Sequence, residues 1–127
     1  MTTPLAGRTA AALAVGLSLI SAAPASAATA GWSDTYAHGS VSVPADRSTI
    51  KVCDGKVDNL VYKVIWHNDN PVDARDSFVV QAPQGRCATD SSWLGSVMVF
   101  KLCHGRIGSN NRTTWDACKA PVWPGRR

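Results

Sequence analysis

Apolar and polar residues alternate with a period of two along several short stretches of this chain, the pattern of strands that bury one face. The runs are Ser40-Val41-Ser42-Val43, Thr49-Ile50-Lys51-Val52-Cys53, Val61 to His67, Ser77 to Gln81 and Ser96 to Cys103. In the last, Met98, Phe100 and Leu102 share a face that is expected to be core, leaving Val97, Val99 and Lys101 on the other. Asp54-Gly55, Pro83-Gln84-Gly85, His104-Gly105 and Gly108-Ser109-Asn110-Asn111 separate the runs, and each carries residues suited to turns. No window has helical periodicity. Five to seven short strands so punctuated predict an all-β fold, a small disulfide-stapled β-sandwich or barrel.

The N-terminus follows a different pattern. Arg8, an apolar run from Thr9 to Ile20 and the small-residue site Ala25-Ser26-Ala27 together read as a cleavable secretory signal over residues 1–27. Gly16 and Ser18 interrupt the run, which stops short of the ~20 residues a membrane span needs. The remaining chain, 28–127, is expected to be a single secreted β domain with its ordered core at about 39–120 and no membrane span.

Composition strengthens the strand reading. The region after residue 27 has twelve valines against three leucines, and there is no glutamate anywhere, a balance that favours pleated sheet over helix. Loss of Arg8 leaves 12 basic and 9 acidic residues, a net charge of +3. The basic residues are scattered and interrupted by aspartates, so no nucleic-acid stripe is expected.

Four cysteines, Cys53, Cys87, Cys103 and Cys118, fall after the signal. An even count in a small exported domain predicts two disulfides. Zinc is disfavoured because no C-x-x-C pair is present. Four cysteines allow three pairings. The segments Ile50-Lys51-Val52-Cys53-Asp54-Gly55 and Phe100-Lys101-Leu102-Cys103-His104-Gly105 echo each other fifty residues apart. Two strands that each end in a cysteine and turn at a glycine favour adjacent pairing, Cys53 with Cys87 and Cys103 with Cys118.

The frame Val52-Cys53-Asp54, Asp58, Val61-Tyr62, Gln84-Gly85-Arg86-Cys87, Phe100-Lys101-Leu102-Cys103 and Trp115-Asp116-Ala117-Cys118 resembles small secreted actinobacterial disulfide-bonded β proteins of uncharacterised function. It departs from them at Asn59, where a glycine is usual, at Leu102 in place of valine, and in lacking a Cys-Ser-x-Trp. The resemblance implies an exported disulfide fold and adds no catalytic residue.

Candidate chemistry is sparse. His67 to Asp76 concentrates oxygen ligands, with Asp69, Asp73 and Asp76 the candidates for calcium, but the segment lacks the glycine and closing glutamate of an EF-hand. A solvated turn is the preferred reading. His38, His67 and His104 are the only histidines, and neither G-x-S-x-G nor H-E-x-x-H occurs. No cofactor is expected, and an enzyme is the last choice.

Five tryptophans, Trp32, Trp66, Trp93, Trp115 and Trp123, are many for this length. Trp66 is expected in the core, whereas Trp93 and Trp123 lie in loop-like contexts and are the surface candidates. The sequence therefore points first to a non-catalytic binding protein with an extracellular protein or glycan as partner. An inhibitor of a secreted hydrolase presenting Pro83 to Arg86 comes second, and a carbohydrate-binding module third.

Overall fold

A computed structural model describes residues 31–71 and 77–125. The expected signal at residues 1–27, the candidate ligands Asp73 and Asp76, and the terminal Arg126 and Arg127 lie outside the described residues. Eight strands are present among them: β1 (Trp32–Tyr36), β2 (Gly39–Val43), β3 (Thr49–Asp54), β4 (Leu60–Asn68), β5 (Phe78–Gln81), β6 (Cys87–Ser91), β7 (Val97–Ile107) and β8 (Thr113–Cys118). They form two four-stranded sheets, β1-β2-β3-β6 and β5-β4-β7-β8, with every pairing antiparallel. The expected all-β, disulfide-stapled fold is present, and of the two expected arrangements, sandwich or barrel, it has two separate sheets.

The period-two residues meet between the sheets. Val41, Val43, Ile50 and Val52 come from one sheet, and Tyr62, Val64, Trp66, Val97, Phe100 and Leu102 from the other, all buried in one cluster. Burial of each such side chain contributes about 1.5–3 kcal/mol. Phe78 stacks on Trp66 with ring centroids 4.5 Å apart and closes the core at one end.

One expected face is corrected. Asn68 pairs with Val97 and His67 with Val99, so a bulge at Met98 shifts the alternation by one residue. Val97 joins Phe100 and Leu102 in the core, and Met98 is only half-buried. Ordered structure also begins before residue 39 and continues past 120. β1 pairs with β2, and Val122 forms a two-way bridge with Phe100 and packs against the core.

Disulfides join Cys53 to Cys87 and Cys103 to Cys118. Each links residues directly opposite in paired strands, so the edge strand β6 is tied to β3 and the edge strand β8 to β7. The two echoed segments are thus matching strands, one in each sheet, each tied by its cysteine to the neighbouring edge. Along another side of the sandwich, Lys119 Nζ donates to Asp34 of β1 and, at 2.7 Å, to the Thr35 carbonyl. Tyr36 stacks on His104 there at 3.9 Å.

Candidate functional site

The loop from β6 to β7, residues 92–96, carries the most exposed aromatic of the described residues. Trp93 is 89% exposed and Leu94 49%. Apolar side chains held in water on a floppy loop would fold back onto the protein, so the anchoring of this loop matters. Ser92 N–H donates to the Ser48 carbonyl at 3.0 Å, and Ser92 Oγ reaches the Leu94 carbonyl at 3.3 Å. The turn after β4 holds the other side: Asn68 Nδ2 donates to the Leu94 carbonyl at 3.2 Å, and Asp69 N–H to the Ser96 carbonyl at 3.0 Å. Ser96 N–H returns a bond to Asp69 Oδ1 at 2.7 Å.

Gly95 makes this closure possible. Its φ is +86°, and a Cβ there would sit 2.7 Å from Asp69 Oδ1 and 3.0 Å from Asn70 Cβ, so both conformation and space require glycine. Beneath the loop is a small cavity of about 60 Å³ bounded by Trp66, Phe78, Ser92 and Trp93. Trp66 Nε1 is buried without a hydrogen-bond partner. The site is an apolar tip, hydrogen-bonded on both sides of the loop, over a small void.

The other sequence candidates are dispersed. Arg86 is exposed at the far end of β6, roughly 20 Å of strand away from Trp93. It closes a tight turn: its N–H donates to the Pro83 carbonyl at 3.0 Å, its carbonyl accepts Asp54 N–H at 2.9 Å, and Gly85 has φ +67°. Trp123 is 44% exposed and lies in a groove on the outer face of the β4–β7 pair. Asp69 uses Oδ1 for Ser96 and has Oδ2 3.6 Å from Arg47 Nη1.

The histidines stand apart from one another. His38 Nε2 lies 3.0 Å from Asp58 Oδ2, His104 Nδ1 lies 4.0 Å from Asp116 Oδ2 under Tyr36, and His67 lines the Trp123 groove. None is hydrogen-bonded to a serine hydroxyl among the described residues. An open depression of about 580 Å³ on the outer face of β1-β2-β3-β6 is rich in hydroxyls, with Ser33, Ser42, Lys51 and Thr89 aligned in one cross-strand row. Lys51 is its one titratable lining residue.

Sequence reading identified Trp93 from its loop context. It missed Leu94 and the Asn68–Asp69 clasp, because the bonds that hold the loop join residues 26 and 27 positions apart. No protein-family model matches the chain, and no curated protein or solved structure matches it.

Proposed function

We propose that the chain is exported and works as a non-catalytic binding protein that engages an extracellular partner through the Trp93–Leu94 tip. The observation that carries this reading is an indole 89% exposed on a loop pinned from both sides. Tryptophan is the residue most enriched at interface energy centres, and a loop already rigid loses little entropy on docking. Two disulfides in a domain of this size fit an oxidising compartment, as do the signal-like residues 1–27 and the resemblance to small exported proteins.

The inhibitor reading has less support. A closed turn at Pro83–Arg86, its terminal N–H and C=O both used internally, offers no extended segment to lie along a cleft as an added strand would.

The test is capture from the producing culture's medium with immobilised wild type and Trp93→Ala side by side. A protein retained by wild type and lost with Trp93→Ala is the expected result. Equal retention by both would remove the Trp93 tip from the reading.

A further inference from the structure

The modest net charge conceals an uneven distribution between the two sheets. Strands β4, β5 and β7 contain Lys63, His67, Lys101, His104 and Arg106 and no acidic residue at all. The single carboxylate in that sheet, Asp116 of β8, is bound to Arg106 Nε at 3.1 Å. The opposite sheet carries Asp34, Asp54 and Asp90 against Lys51.

On the outer face of the basic sheet is a groove of about 240 Å³, lined by Ile65, His67, Val99, Lys101, Pro121 and Trp123 with Phe100. Lys101 stands opposite Ile65, and His67 opposite Val99, in adjacent strands. Trp123 forms one wall because the bridge between Val122 and Phe100 holds residues 121–123 along β7, with Val122 turned to the core. Lys63, one same-face step from Ile65, lies diagonally next to Lys101, and its Nζ sits 4.1 Å from the Trp115 ring centroid. Lys63 is thus engaged by Trp115, and Lys101 is the lysine that lines the groove. None of the residues lining this groove is a carboxylate.

We propose that this groove binds an acidic sugar residue, a pyranose ring bearing a carboxylate, as found in a uronic-acid glycan. The aliphatic floor and the indole wall take the apolar C–H face of the ring, while Lys101 and His67 at the rim hold the carboxylate. The volume lies below the ~300–1,000 Å³ of sites for drug-sized ligands, which suits one ring in the groove rather than two. The lysine of β4 and the indole of β8, Lys63 and Trp115, continue the same sheet across β7, giving a second contact for a neighbouring ring of the same chain. Nucleic acid is the less suited anion: its charge is carried on a regular backbone, and the face offers Lys101 in the groove and a separate Lys63–Trp115 pair rather than a continuous basic track.

The test is calorimetric titration of the intact protein with a galacturonic acid trimer, with the neutral galactose trimer and with a single-stranded oligonucleotide. The galacturonate trimer is expected to bind, and the neutral trimer to bind at least tenfold more weakly. Lys101→Gln and Trp123→Ala are each expected to weaken galacturonate binding at least tenfold with an unchanged melting temperature. Trp123→Phe, which keeps an aromatic wall, should retain most of it. Trp93→Ala should leave this binding as it is, so failure here and failure of the Trp93 reading are told apart. Equal affinity for the two trimers, insensitivity to both groove variants, or no galacturonate binding at millimolar concentration would overturn the proposal. Tighter binding of the oligonucleotide would reassign the face to nucleic acid.

Discussion

Asp69 and Ser96 are bonded to each other twice: Asp69 N–H donates to the Ser96 carbonyl at 3.0 Å, and Ser96 N–H to Asp69 Oδ1 at 2.7 Å. The pair joins the turn after β4 to the loop that carries Trp93, and its side-chain half can be removed alone. Asp69→Ala is expected to cost about 1 kcal/mol, the net worth of a partly exposed hydrogen bond. Its larger effect should be local, as faster amide exchange over 92–96 with little change in the core strands. With both Asp69 oxygens directed at protein groups, added calcium followed by chelator should leave the melting temperature unchanged. A chelator-reversible rise would instead restore the calcium reading of the loop that holds Asp69, Asp73 and Asp76.

The disulfides make a separate prediction about chemistry and stability. Trypsin cuts after Lys51, Lys56, Arg86, Lys101, Arg106, Arg112 and Lys119, which places each cysteine on its own peptide. A non-reduced digest should therefore yield 52–56 joined to 87–101, and 102–106 joined to 113–119. Chain-entropy arguments give ~3.8 kcal/mol for the longer closed loop and ~3 kcal/mol for the shorter. Together these are comparable to the whole stability of a small domain. Reduction under native conditions should unfold the protein, measured by loss of near-ultraviolet circular dichroism. A peptide pairing Cys53 with Cys103 would contradict the fold.

Tyr62 and Gly39 form a tight pair at the other end of the core. A Cβ on Gly39 would lie 2.1 Å from the Tyr62 ring, so Gly39→Ala is expected to cost roughly 1–3 kcal/mol through overpacking. Burial raises the Tyr62 pKa above the usual 10.0, and the nearby Asp54 and Asp58 carboxylates add to it. Backbone groups of His38 and Gly39 pull the other way without making a full hydrogen bond to the hydroxyl. A phenol with a raised folded pKa keeps its proton longer than it does in the unfolded chain. Its contribution is therefore whole below pH 10 and is lost as pH climbs through the folded value. Tyr62→Phe should flatten the alkaline fall in stability above about pH 10, and it should cost little at pH 7 because no satisfied hydrogen bond is removed. An unchanged alkaline limb would assign that fall to another group.

The strands legible in the sequence and those that were not differ in how much apolar surface they bury. β2, β3, β4 and β7 are inner strands, and their alternation is the alternation of the core itself. β1, β6 and β8 are edges, paired on one side, and Trp32-Ser33-Asp34-Thr35-Tyr36 or Cys87-Ala88-Thr89-Asp90-Ser91 contain too few apolar residues to reveal a period. β5 is also an edge, yet Phe78-Val79-Val80 announces it. The turn between β1 and β2 gives no signal because Ala37, at φ +48°, holds a conformation usually left to glycine or asparagine. The Met98 bulge escapes for a related reason, since Val97-Met98-Val99-Phe100 is apolar throughout and either register looks acceptable until β4 is in place. The candidate sites were half legible: Trp93 and Trp123 stand out as loop tryptophans, while their surroundings come from strands and turns distant in sequence.

Trp66 and Trp93 give a contrast that separates packing from recognition. Both border the small cavity under the 92–96 loop, but Trp66 is fully buried against Phe78 and Trp93 is 89% exposed. Trp66→Ala would remove the largest core side chain and is expected to cost about 3–5 kcal/mol, enough to unfold much of a marginally stable domain. Trp93→Ala removes surface already in water, and its effect on stability should stay within about 0.5 kcal/mol. Urea unfolding of the two variants beside wild type measures both values. If Trp93→Ala proved as costly as a core deletion, the indole would be a lid on the cavity, and its exposure would no longer argue for a partner. If the stability is unchanged, the position is free of a folding role, and an indole presented to water on a hydrogen-bonded loop is what a binding surface would offer.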